Sequence, residues 1–309
     1  VLLAIVLVTF VLIQALPGGP FSTVGLKSMP EPVRLAMEQR YGLDRPLPEQ
    51  FLRYVGNLLR GDLGPMLHRP GQTVNDVVAR SMPVSIQLGV LALMLGLAIG
   101  MPAGLIAAWR RNTVVDYSAT FLAVLGASIP AVVLGPLLIL VLGVRLDWFP
   151  IAFWGAEPPY VLGFLPRPTM EFWRHAFLPV LALGVGLSAG IARLLRASLL
   201  EELSADYART ARAKGLGEEG ILVRHSLKNA LIPVTTTLGP LLAGVLTGTF
   251  IIEQIFALDG LGRKFLESVG NREYFLLTSI TLIYALFLVL GNLAVDIVYA
   301  WLDPRIRYD

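Results

Sequence analysis

Val84–Ala108 reads VSIQLGVLALMLGLAIGMPAGLIAA, a run without one charged side chain. The hydrocarbon core of a bilayer is about 30 Å thick and takes roughly 20 apolar residues in a helix. This run meets that length, and so do Tyr117–Val144, Asn229–Ile252 and Tyr274–Val295, each free of charge. Ala176–Ala192 is shorter but continues in a helical pattern through Leu200. Val1–Leu16 is apolar and short, with no Met or basic flank before it. It reads as a first span whose cytoplasmic start is missing. The competing reading, a signal-peptide core, lacks a small-residue cleavage site before Pro17. The expected fold is therefore an all-α polytopic membrane protein with about six transmembrane helices.

The rest of the composition agrees. The 309 residues are 55% apolar and only 15% charged, against about a quarter charged in soluble domains, and the mean hydropathy is +0.68. A net charge of +3 gives no reason to expect a nucleic-acid partner. There is no Cys for a disulfide framework or thiolate metal site, and His68, His175 and His225 are in no metal-ligand spacing. No cofactor or metal is expected on this chain.

Lys and Arg near the span ends set orientation. With a cytoplasmic N-terminus the inner side receives 11 basic residues and the short outer loops six, which predicts both termini inside. Residues 17–83 then form an extracytoplasmic segment, with helix-like patterning over Pro32–Tyr41 and Leu47–Leu59. Pro32 and Pro48 suit first helical turns, and Gly61-Asp62-Leu63-Gly64 reads as a turn. Residues 84–309 form the remaining five-span core. Gly96, Gly100 and Gly104 make a small-residue seam on one helix face, and Gly186 and Gly190 are expected to do the same in the fourth span. Pro102, Pro130, Pro136 and Pro240 are expected to kink or interrupt helices.

The segment 198–233 is too polar to span and too patterned for a floppy linker. Ser204 reads as a helix N-cap, Asp206 falls in the first turn, and Gly215 sits where the helix should stop. Ala205, Ala208 and Ala211 recur every third residue as a flat small-residue face, flanked by Arg209, Arg212 and Lys214. A short helix of this kind, braced between two spans, can fit a groove on a soluble partner. The same pattern fits a helix lying on anionic membrane lipid.

The run Asp206-Tyr207-Ala208-Arg209-Thr210-Ala211-Arg212-Ala213-Lys214-Gly215, followed by Arg224-His225-Ser226-Leu227-Lys228-Asn229-Ala230-Leu231-Ile232-Pro233, resembles the coupling-loop signature of binding-protein-dependent ABC permeases. The leading Glu of that signature is absent, which is similar to the dipeptide, oligopeptide and nickel branch. Leu16-Pro17-Gly18-Gly19-Pro20-Phe21, Gly61–Pro65, Val74–Asp76, Pro83–Ser85, Gly260–Gly262, Asn271–Tyr274 and Asp303–Tyr308 extend the resemblance over nearly the whole chain, which looks most like the first membrane subunit of bacterial oligopeptide importers.

The resemblance implies a place in the bacterial inner membrane beside a second, homologous permease, two ATPase subunits and an extracytoplasmic peptide-binding protein. ATP and Mg would sit on the ATPases, and this chain has no G-x-x-x-x-G-K-[ST] phosphate loop of its own. Asp206, Tyr207, Ala208, Arg209, Ala211, Arg212, Ala213, Lys214, Gly215 and Leu216 would take the push from the ATPases. Gln87, Ser128, Thr235, Thr247 and Thr249 are polar candidates for the substrate path, although each Thr hydroxyl equally fits satisfaction by its own helix carbonyl. Dipeptides, glutathione or nickel would use the same scaffold. An ion-gradient-driven transporter is the reading from another class. It calls for ionisable groups at membrane mid-depth, and the central parts of the spans carry no Asp, Glu, Lys or Arg.

Overall fold

A computed structural model of the chain describes residues 1–15, 31–69, 71–158 and 160–302. The motifs at Leu16–Phe21 and Asp303–Tyr308 lie outside the described residues. In chain order the helices are α1 (Leu2–Gln14), α2 (Glu31–Tyr41), α3 (Leu47–Leu58), α4 (Val74–Trp109), α5 (Val114–Ser128) and α6 (Ala131–Leu138). They continue with α7 (Met170–Ser204), α8 (Asp206–Ala213), α9 (Glu218–Gly220), α10 (Leu227–Ile255), α11 (Leu261–Asn271) and α12 (Tyr274–Leu302). No strand occurs among the described residues.

α4, α7 and residues Tyr274–Ala294 of α12 are each long and apolar enough to cross a bilayer. At 36 residues and about 1.5 Å per residue, α4 outreaches the hydrocarbon core. It starts ten residues before the expected membrane entry at Val84. A capping box fixes its start: Thr73 Oγ1 accepts from Asp76 N–H, and the Asp76 carboxylate accepts from Thr73 N–H at 3.0 Å. Pro83 and Pro102 both sit inside this continuous helix, so Pro102 does not interrupt it.

Pro130 does interrupt. The third expected span is two helices, α5 and α6, bent by 95° at Ile129–Pro130. Ile129 is extended (φ −92°, ψ 109°), the conformation that a following proline ring imposes. α6 then continues as a π-helical stretch over Ile139–Arg145.

The glycine seam packs α4 against α7. A Cβ on Gly100 would lie 2.6 Å from Ser188 O, and one on Gly104 2.6 Å from Ala192 O. From α7 the answering residue is Gly184, whose Cβ would meet Leu95 at 2.7 Å. Gly186 and Gly190, expected to form the second seam, face open space instead. They are on a different side of α7 from Gly184, because residues two and six apart do not share a helix face.

α2 and α3 match their expected ranges and pack beside the N-terminal end of α12. Gly61 and Gly64 take positive φ (78° and 98°) in the turn that follows, and Asn75 clamps it by accepting from Leu63 N–H and donating to Gly61 O. Glu273 fixes the next segment. Its buried carboxylate accepts from Leu67 N–H and His68 N–H, each at 2.8 Å.

Candidate functional site

The segment singled out in the sequence forms a compact elbow on the end of α7. Ala205 is the hinge, extended at φ −67°, ψ 156°, and it is the N-cap residue of α8. Ser204 does not cap α8. It is the last residue of α7, and its hydroxyl donates to Glu201 O at 2.7 Å, because a residue still in helical geometry aims its side chain back at the preceding turn. The C-terminal end is as expected. Gly215 has φ +85°, Gly215 N–H donates to Arg212 O and Leu216 N–H to Ala211 O, the paired bonds of a Schellman stop.

The alanine face points inward, not toward a partner. Ala208 is fully buried and Ala211 nearly so, in a cluster with Leu199, Leu203, Ile221 and Leu222. Small side chains let α8 lie close against α7 and the π-helical turn Ile221–Ser226. The exposed face is made of Arg209, Thr210, Ala213, Lys214, Gly215 and Leu216, with Tyr207 at its edge. Asp206 is exposed and pairs with Arg209 at 3.3 Å.

Polar contacts hold the elbow rigid. Arg212 donates to Leu203 O at 3.2 Å and, through Nε and Nη2, to both carboxylate oxygens of Glu218 at 2.6 and 3.1 Å. These hydrogen bonds hold the Glu218 carboxyl below the usual carboxylate range against the opposing effect of its partial desolvation. The Tyr207 hydroxyl donates to Glu202, which also accepts from Asn229 Nδ2 at 3.4 Å. Partial burial and this carboxylate push the Tyr207 phenol up. These contacts tie α8 to the end of α7 and to the start of α10.

The path candidates do not converge in this chain. Gln87 is buried on α4 with both ends of its amide used: Nε2 donates to Phe164 O and Trp154 Nε1–H donates to Oε1, each at 2.6 Å. It pins the connection between α6 and α7. Ser128 donates to Val124 O at 2.7 Å beside the α5–α6 break, and Thr235 donates to Ile232 O at 2.8 Å. Thr249 is buried and hydrogen-bonded to Glu253. Thr247 belongs to α10 and its side chain lies outside the described residues.

Two groups that the spacing did not single out matter as much. Glu253 is wholly buried, and its carboxylate accepts from Ser85 Oγ at 2.6 Å and from Arg263 N–H at 3.0 Å, holding the first turn of α11. Asp116 and Arg196, 80 residues apart, form a two-pronged ion pair between α5 and α7. No local pattern announces a pair so distant in sequence.

The sequence profile of the family described as "binding-protein-dependent transport system inner membrane component" matches residues 100–308. The chain belongs to this family. It is a membrane-spanning permease subunit, and among its described residues α4, α7 and α12 supply apolar helices long enough to cross a bilayer. It is 42% identical over 306 residues to the dipeptide transport system permease protein of Bacillus subtilis, covering 99% of this chain and 94% of that one. It is 38% identical to the oligopeptide transport system permease proteins of Haemophilus influenzae (97% and 93% covered) and Salmonella typhimurium (99% and 95%). Among solved structures, an inward-facing MetNI methionine ABC transporter shares the fold, with a TM-score of 0.57 at 16% identity over 74% of this permease and 96% of that chain.

Proposed function

We propose that this permease subunit imports oligopeptides delivered by an extracytoplasmic binding protein, driven by ATPase subunits that act through α8. The observation that carries the reading is near-full-length similarity to permeases named for oligopeptide and dipeptide transport. Dipeptides are the second reading, favoured by the 42% identity to the dipeptide permease.

The geometry of the elbow supports the mechanical part. α8 offers a basic, exposed face and is buried on the other side against α7 and α10. A groove on a soluble ATPase would grip Tyr207, Arg209, Lys214 and Leu216, while Ala208 and Ala211 keep α8 seated on the membrane helices. A lever of this kind transmits force because the fit within the chain is close-packed. Nucleotide-driven closure of the ATPase pair would then favour one of two arrangements of the spans, as any coupled switch must. Both termini would lie in the cytoplasm, with a second homologous permease alongside.

The test is reconstitution of this permease with its co-purifying permease, ATPases and binding protein in liposomes. Uptake of a labelled oligopeptide should require ATP. Arg209→Glu should uncouple ATP hydrolysis from uptake while the complex still assembles. Uptake that persists without nucleotide and follows an imposed proton or sodium gradient would overturn the reading.

A further inference from the structure

A cavity of about 250 Å³ lies between α1, the α2–α3 pair and the first turns of α12. No residue of the coupling elbow lines it. Its chemistry is split. Phe10 and Ile13 of α1 and Phe275 of α12 give it apolar lining, and the exposed Arg40, Arg53 and Asn57 of α2 and α3 line it as well. Tyr54, Tyr274 and Thr278, all buried, are also among its lining residues.

The two cations are weakly committed within the protein. Arg40 makes no ion pair among the described residues and lies over the Tyr41 ring at 5.9 Å. Arg53 stands 3.7 Å from Glu49 Oε1, an oxygen already taken by the closer Arg45. Two arginines therefore line one concave space, a chemistry suited to a phosphate, whose oxygens accept in pairs from Arg.

The apolar lining does not end at the cavity. Leu3 and Leu7 lie one heptad before Phe10 and Gln14, on the same stripe of α1, and they are 62% and 46% exposed. The stripe thus runs from the cavity along the helix read as the first span. A charged head at one end and a hydrocarbon track at the other describe an amphipathic anion.

The geometry points to a binding site for a phospholipid, with the headgroup phosphate between Arg40 and Arg53 and an acyl chain laid along Phe10, Leu7 and Leu3. A peptide fits less well. The lining carries two arginines and no acidic side chain to meet a peptide's amino terminus. The inference does not depend on what the permease transports or on how α8 is driven.

The experiment is native mass spectrometry of the intact, detergent-purified complex after exchange into dioleoylphosphatidylglycerol. A basic residue beside anionic lipid contributes about fivefold in affinity, so Arg40→Gln or Arg53→Gln should lower retention by about fivefold and the double variant by about twenty-five-fold. Arg34→Gln, which removes the same charge from α2 outside the cavity, should retain lipid as the parent does. Dioleoylglycerol, which has no phosphate, should not be retained.

Equal retention in the double variant would overturn the site, as would an equal loss in Arg34→Gln. Displacement by millimolar inorganic phosphate would make this a free-phosphate site. Displacement by trialanine would make it a station on the substrate path. Either result refutes the lipid assignment.

Discussion

The Arg196 guanidinium grips the Asp116 carboxylate with two parallel hydrogen bonds, Nε to Oδ1 at 2.6 Å and Nη2 to Oδ2 at 2.7 Å. Asp116 is 1% exposed and also accepts from Asn112 N–H at 3.0 Å, so the start of α5 is locked to α7 about half a turn before the elbow region begins at Ser198. Removing one member of a buried pair costs about 3–5 kcal/mol because the other is left uncompensated, and the partial exposure of Arg196 puts this case at the low end. Asp116→Asn should lower the thermal stability of the purified complex clearly. Asp116→Asn combined with Arg196→Gln should recover part of the loss, a coupling that a double-mutant cycle reads directly. Strict additivity of the two changes would show that the pair carries no energy.

The buried alanines of α8 give a sharper test of the lever. Ala208 touches the α7 and π-turn side chains with no exposed surface, so Ala208→Leu must lift α8 off its seat, at about 1–3 kcal/mol of overpacking. Peptide uptake should fall by about tenfold or more, the factor that 1.4 kcal/mol represents, with the permease pair still co-purifying. Ala213→Leu, on the exposed face, should leave the stability of the fold unchanged and impair ATPase docking alone. The two variants separate seating of the helix from contact with its partner, and equal behaviour in a stability assay and a pull-down would refute that division.

The α4–α7 seam predicts a contrast among glycines. Gly100→Ala drives a methyl to 2.6 Å from Ser188 O, a backbone atom that cannot swing aside. The helices must separate, and the cost of about 1–3 kcal/mol outweighs the gain of up to about 1 kcal/mol in helix propensity. Gly190→Ala meets nothing within 4 Å and should be neutral or slightly stabilising within this chain. Thermal unfolding followed by tryptophan fluorescence distinguishes them, and a neutral Gly100→Ala would show that the seam has room for a methyl group.

What was legible in the sequence follows from what is local. The spans of α4, α7 and α12, the α2 and α3 ranges, the Pro130 break and the Gly215 stop all rest on periodicity or on one residue's backbone preference. The face of α8 was misjudged because a stripe of Ala fits a partner's groove and this chain's own core equally well. Only the position of Leu199, Leu203, Ile221 and Leu222 around it decides. Gly184 was missed in favour of Gly186 and Gly190 for a related reason: a four-residue glycine spacing marks a face without saying what lies across from it. Gln87 reads as a polar group free for a conduit until Trp154 and Phe164, 67 and 77 residues away, take both ends of its amide.

Glu273 sets a pH limit on the segment around Leu67 and His68. Burial raises its pKa, but hydrogen bonds from the His68 ring, His68 N–H and Leu67 N–H outweigh that and hold the carboxyl below the usual range. A depressed native pKa contributes stability that is complete above the unfolded value, about 4.3 for Glu, and is lost as pH falls through the native value. The anchoring of residues 67 and 68 should therefore be constant from neutral pH down to about pH 5 and weaken below about pH 4. Amide hydrogen exchange at Leu67 and His68 measures it. Glu273→Gln should give faster exchange at every pH and abolish the acid dependence, since the neutral amide keeps one acceptor and loses the charge, at about 1.5–3 kcal/mol for bonds to a charged group. Exchange at these two amides that still quickens in acid in Glu273→Gln, after correction for intrinsic rates, would place the titrating group elsewhere.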